Sequence, residues 1–93
     1  MDYSDCLALI ARAAREGWPK LDLSDSGLTE LPPEIGQLNQ VQELKLGGNH
    51  LAALPPEIGQ LDQVRILFLG GNQLKTLPPE IGQLGKLEYL ELG

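Results

Sequence analysis

Short runs along the chain alternate apolar and polar side chains: Leu21 and Leu23, Leu44 and Leu46, Leu67 and Leu69, Leu90 and Leu92. A period of two places both members of each pair on one face of a strand. Between these runs the apolar residues are spaced more widely, as Leu31, Ile35 and Leu38, which suits a helical turn with one buried side. The opening segment differs. Within Ser4 to Glu16, Cys6, Leu9/Ile10 and Ala13 recur at helical spacing among alanines, with Asp or Ser to cap the start and Gly17 where helices commonly end. The pattern predicts one amphipathic helix followed by strands that alternate with short helical returns.

The alternation repeats at a fixed period. Leu28 to His50 reads LTELPPEIGQLNQVQELKLGGNH, Leu51 to Gln73 reads LAALPPEIGQLDQVRILFLGGNQ, and Leu74 onward reads LKTLPPEIGQLGKLEYLELG, so two units of 23 residues precede a shorter third. Val41, Leu44, Leu46, Asn49 and Leu51, and again Val64, Leu67, Leu69, Asn72 and Leu74, follow L-x-x-L-x-L-x-x-N-x-L. This resembles the leucine-rich-repeat signature. A degenerate copy, Trp18, Leu21, Leu23, Ser26 and Leu28, lies upstream, and Leu87, Leu90 and Leu92 begin a fourth strand that stops before its asparagine.

Such units stack because none can bury its apolar face alone. The expected fold is an α/β leucine-rich-repeat solenoid: a curved parallel sheet on the concave face, with strands ~4.8 Å apart, helical or 3-10 returns on the convex face, and an N-terminal capping helix. Residues 1–17 are assigned to the cap and 18–93 to the repeats. Each return opens on Pro-Pro-Glu; proline fits a first helical turn, and Glu34, Glu57 and Glu80 complement its positive end. Asn49 and Asn72 carry amides that can both donate and accept where the chain leaves the strand, so a ladder is expected. Ser26, with one hydroxyl, satisfies fewer groups.

The two ends differ. The helix should lie over the first strand, whose Pro19 is consistent with an edge position. No cap follows the last strand, so Leu84, Leu87, Leu90 and Leu92 are expected to be partly exposed, at a cost of about 1.5–3 kcal/mol each. The chain reads as a fragment of a longer repeat protein, or as one that self-associates through that edge.

Charge narrows the function. Seven basic residues against 13 acidic give a net charge of −6, which disfavours nucleic acid and anionic lipid as partners. One cysteine permits no intrachain disulfide, the start Met1-Asp2-Tyr3 lacks a basic, apolar leader, and no run approaches the ~20 apolar residues of a membrane helix. A cytoplasmic location is expected.

The residues flanking the inward leucines fall into columns on the concave face: Lys20, Glu43, Ile66, Tyr89; then Asp22, Lys45, Phe68, Glu91; then Ser24, Gly47, Gly70, Gly93. Lys20 is expected to pair with Glu43 and Asp22 with Lys45, each pair worth about 0.2–1 kcal/mol. Ile66, Phe68 and Tyr89 form an apolar cluster, expected to be exposed, on an otherwise polar face. It reads either as a protein contact or as ordinary strand propensity. The glycine column beside it would admit a partner's backbone. The first two columns together are the candidate partner-binding residues.

Other groups carry less. The Gly-Gly-Asn stretches fit neither G-x-x-x-x-G-K-[ST] nor G-x-G-x-x-G. His50 lacks metal-ligand neighbours and reads as a solvated loop residue. The three recurring glutamates suit the helical returns better than an acid–base pair. Cys6 suits a small buried apolar position better than a nucleophile. No catalytic, cofactor or metal residue is assigned, and no enzymatic activity is expected.

The L-P-P-E-I-G-Q-L returns and L-x-L-x-x-N strands resemble the 23-residue repeats of Ras-group leucine-rich-repeat proteins from about Trp18 onward. The opening helix with LDLSDSGLTELPPEIGQL looks like the start of bacterial Roco proteins, whose repeats precede a Ras-like GTPase and a COR domain. The resemblance implies a recognition arm. Trp18, Ser26 and the missing C-terminal cap depart from the family pattern. The expected function is protein binding through the concave face in intracellular signalling; the alternative is a regulatory arm of a Roco-like GTPase or kinase whose catalytic domain lies beyond residue 93. A carbohydrate binder stacking sugars on Phe68 and Tyr89 ranks last, because four gently curved strands offer no deep pocket.

Overall fold

A computed structural model describes residues 1–93. Helix α1 (Tyr3–Glu16) leads into strands β1 (Lys20–Asp22), β2 (Glu43–Lys45), β3 (Ile66–Phe68) and β4 (Tyr89–Glu91), separated by 3-10 returns at Pro33–Gln37, Pro56–Gln60 and Pro79–Gln83. The strands form one parallel sheet in sequence order, with the returns on its opposite side. This is the curved repeat solenoid that the periodicity predicts.

The helix starts one residue earlier than Ser4, because Asp2 provides the cap: its backbone is extended and its side chain accepts the Asp5 N–H at 2.8 Å. It ends at Gly17, whose φ of 69° is left-handed and whose N–H returns to the Ala13 carbonyl. Cys6, Ile10 and Ala13 are buried. Their stripe rests chiefly on the first 3-10 return and not, as expected, over β1. A three-residue strand presents little apolar surface at its end, whereas the return presents Ile35, which is fully buried.

Each return is held by 3-10 bonds, such as Ile35 N–H to Pro32 O at 3.0 Å and Leu38 N–H to Ile35 O at 3.2 Å. Pro33, Pro56 and Pro79 open them, where a missing N–H costs nothing. The glycine in the first two P-E-I-G-Q segments serves packing: a Cβ on Gly59 would meet the Glu80 carbonyl oxygen at 2.6 Å, so the second and third returns approach closely only through glycine. Gly82, with no return beyond it, has open space around it.

The middle leucine of β1, β2 and β3 is buried. It joins Leu23, Leu46, Leu69 and the leucines and isoleucines of the returns in one cluster of 20 buried side chains. At β4 the burial weakens. Leu92 is 56% exposed, and Leu87 and Leu90 are partly buried. Leu84, expected to be partly exposed, is buried. It sits in the layer of the third unit that packs back on the second, and only the far side of that unit is bare.

The asparagine ladder forms as anticipated. The Asn49 Oδ1 accepts the N–H groups of Ser26 and Leu28, both at 3.0 Å, while its Nδ2 donates to the carbonyls of Leu23 at 3.0 Å and Leu46 at 2.8 Å. Asn72 accepts from the Leu51 N–H and donates to the carbonyls of Leu46 and Leu69. Each asparagine therefore joins its own unit to the one before. The Ser26 side chain makes one bond, its hydroxyl donating to the Ser24 carbonyl at 3.0 Å.

Candidate protein-binding face

With the central leucine turned inward, the first and third residues of every strand must point away from the core. The parallel register sets Lys20 beside Glu43, Glu43 beside Ile66, and Ile66 beside Tyr89; one step on, Asp22, Lys45, Phe68 and Glu91 are neighbours in the same order. All eight residues thus lie on the strand face.

The expected cross-strand ion pairs do not form. Lys45 Nζ lies 4.0 Å from the carboxylate of Glu43, two residues back on its own strand. Asp22 turns to Ser24, accepting its N–H at 2.9 Å and its hydroxyl at 2.5 Å. A local turn that satisfies one carboxylate oxygen twice competes well with a solvated ammonium on the next strand. These two bonds, and secondarily the charge of Lys45, hold the Asp22 carboxyl below the usual aspartate range.

The apolar cluster is less exposed than expected. Only Tyr89 is open, at 52%; Ile66 and Phe68 are half-buried. Phe68 is covered from two sides, by the Tyr89 ring with centroids 5.7 Å apart and planes at 52°, and by Lys45 Nζ at 5.7 Å from its centroid. The first is a tilted aromatic pair and the second a cation–π contact.

The glycine column also behaves differently. A Cβ on Gly70 would meet both carboxylate oxygens of Glu91 at 2.6 Å, and the Gly70 N–H donates to Glu91 Oε1 at 2.9 Å. The space beside Gly70 is therefore filled by the chain's own glutamate and is not open to a partner backbone.

Asp25 was not among the candidates. It occupies the left-handed turn position that Gly48 and Gly71 hold in the next units, with φ of 52° against 69° and 74°. Its carboxylate lies over Gly48 and has no hydrogen-bond partner. The signal was a side chain in a glycine column, and aspartate is one of the few residues that tolerates that backbone. Ser24, Asp25, Lys45, Gly47, Phe68 and Glu91 line a shallow pocket of about 430 Å³. Beside the face, Arg65 grips Glu88 through two bonds, of 2.7 and 3.2 Å, across one repeat.

The remaining polar groups lie elsewhere. His50 is exposed in its loop, and Cys6 is fully buried with its thiol pKa raised by desolvation. Glu34, Glu57 and Glu80 each fall in the first turn of a return. Nothing in the structure explains why one buried oxygen of Glu34 has no partner. No three His, Cys, Asp or Glu side chains are grouped to hold a metal ion, and no helix is long and apolar enough to cross a membrane.

Comparison with known proteins agrees with this geometry. The profile described as leucine-rich repeat region matches residues 20–93. A solved structure of a leucine-rich-repeat protein from Leptospira interrogans is similar, with a TM-score of 0.77 and 46% identity over 88% of this chain. The match covers 21% of that protein, so this chain spans about a fifth of its length. No curated protein matches the chain. Neither match singles out the Ras-group or Roco repeats that the sequence resembles. A parallel sheet built at 23-residue intervals and stitched by an asparagine ladder, together with these matches, makes the chain a member of the leucine-rich-repeat family.

Proposed function

We propose that the chain is a protein-interaction module that binds its partner on the strand face through Lys20, Asp22, Glu43, Lys45, Ile66, Phe68, Tyr89 and Glu91, acting in intracellular signalling in the cytoplasm without catalytic activity of its own. In this reading residues 1–17 are a structural cap and 18–93 the binding array. The observation that carries it is the aromatic pair Phe68 and Tyr89, with Tyr89 52% exposed beside Ile66 on a face whose other candidate residues are charged. Tyrosine in such a setting supplies large contact area at small entropic cost. A photo-crosslinker placed at position 68 should capture a protein that the same group at exposed Asp62 does not. The captured protein, once purified, should bind Phe68→Ala and Tyr89→Ala about tenfold or more weakly, with the far-ultraviolet circular dichroism of both variants unchanged. Equal affinity for the variants, or an unfolded Phe68→Ala, sinks the reading.

Two finer readings have their own tests. Self-association through β4 is supported by exposed Leu92, whose N–H has no further strand to donate to, whereas the equivalent Leu69 N–H meets the Glu91 carbonyl at 2.7 Å. Sedimentation mass that stays constant over a concentration series removes it. The alternative of an N-terminal regulatory arm on a Roco-like GTPase or kinase is supported by the likeness of the opening helix and first repeat. A downstream reading frame containing G-x-x-x-x-G-K-[ST] establishes a GTPase, and an immediate stop codon removes the idea.

A further inference from the structure

The geometry points to a specific partner chemistry: the pocket between Asp25 and Glu91 receives an arginine side chain, presented by a segment of the partner protein and laid against Phe68. This inference rests on the strand face being the binding face.

Charge complementarity is the first support. Asp22, Asp25, Glu43 and Glu91 stand on this face against two ammonium groups, Lys20 and Lys45. Lys45 is engaged by Glu43, and no cation lies within 4.0 Å of Asp22, Asp25 or Glu91. Glu91 is pre-positioned: the Gly70 N–H fixes Oε1, while Oε2 has no partner. The Asp25 carboxylate is wholly free, on a backbone turn that aims it over Gly48. Both carboxylates belong to the same shallow hollow as Phe68.

The ring is the second support. Phe68 already holds one cation, Lys45 Nζ at 5.7 Å from its centroid, so this side of the ring accepts a cation, and the guanidinium takes that place as the Lys45 ammonium withdraws to Glu43. A planar guanidinium can lie flat on an aromatic surface and still fork two N–H groups to a carboxylate at its edge. A lysine can do one or the other. Arginine is therefore the side chain for which ring and acids act together.

The test is a nuclear magnetic resonance titration of the full chain with hexa-arginine, hexa-lysine and hexa-glutamate peptides. Hexa-arginine should move the Gly47 and Gly70 amide signals and the Phe68 ring signals, hexa-lysine should bind about threefold or more weakly, and hexa-glutamate should not bind. Glu91→Gln keeps an acceptor for the Gly70 N–H, and Asp25→Asn keeps a residue tolerant of the left-handed turn. Each should weaken hexa-arginine about threefold or more, while Asp62→Asn, which removes the same charge from an exposed turn off this face, changes it less than about twofold. Phe68→Leu should erase the preference for arginine over lysine. Equal binding of the two basic peptides, or an Asp62→Asn effect as large as that of Glu91→Gln, overturns the proposal. If those results appear while Tyr89→Ala still weakens the captured partner, the face binds a partner of other chemistry. If Tyr89→Ala is also without effect, the binding face itself is wrong.

Discussion

Asn49 Oδ1 accepts the backbone N–H of Ser26 at 3.0 Å, across a sequence separation of 23 residues. The same amide serves Leu28, Leu23 and Leu46, all in a site where Asn49 is 3% exposed. Asn49→Ala would leave the Ser26 and Leu28 N–H groups and the Leu23 carbonyl without partners, the Leu46 carbonyl keeping Asn72, and the expected loss is about 3 kcal/mol. Asn72→Ala, at a less buried site with one fewer backbone donor, should cost about half as much. Urea unfolding of the two variants gives the comparison; equal losses would show that the ladder is not graded by burial.

Leucines of identical repeat chemistry should differ sharply by place. Leu46, the counterpart of Leu92 two units earlier, is fully buried just after β2, and Leu46→Ala should destabilise the chain by about 3 kcal/mol. Leu92, 56% exposed at the sheet edge, should lose less than about 1 kcal/mol when truncated. Thermal unfolding midpoints check the order.

Acid should weaken the surface ion pair in a defined direction. The Arg65 guanidinium holds the Glu88 carboxyl below the usual glutamate range, first by hydrogen bonding and then by charge. A depressed folded pKa contributes stability that is present above the unfolded value and is lost as pH falls through the folded one. Stability should therefore decline on the acid side of the usual glutamate range. Arg65→Ala should return the Glu88 carboxyl, followed by carbon-13 shifts, toward that range; an unmoved titration would mean that the two bonds do not persist in solution.

Cys6 should be inert while the helix is docked. Burial raises its thiol pKa, and a buried thiol presents little thiolate. Modification by a soluble disulfide reagent at neutral pH should be slow and should accelerate with urea in step with unfolding. Fast modification of the native chain would show that α1 opens independently of the repeats.

The repeat unit, the inward leucines and the asparagine bonds were legible because each depends on spacing within one unit, which the sequence states three times over. What escaped depends on choices between neighbours. Lys45 could reach Asp22 across the sheet or Glu43 along its own strand, and column spacing does not decide between them; Ser24, by satisfying Asp22 locally, does. The half-burial of Phe68 follows from where the Tyr89 and Lys45 side chains settle, a rotamer question that no periodicity encodes. Asp25 was hidden by its backbone: a glycine-column position looks empty until the turn is seen to carry a carboxylate across to the next unit. The packing role of Gly59 escaped for the same reason, since the contact it permits is with a carbonyl on the following return.

The strand register sets neighbouring units 23 residues apart, and the same separation recurs in contacts between them, as from Arg65 to Glu88 and from Ser26 to Asn49. The smallest edit this architecture can absorb without breaking a joint is therefore a whole unit. Removing the 23 residues from Leu51 to Gln73 would carry Leu74 to the place of Leu51 and leave each remaining leucine facing inward. Removing 22 residues would turn the strand leucines of everything downstream toward solvent. Growth and loss in such a chain are quantised, and its length can change freely while its cross-section stays fixed.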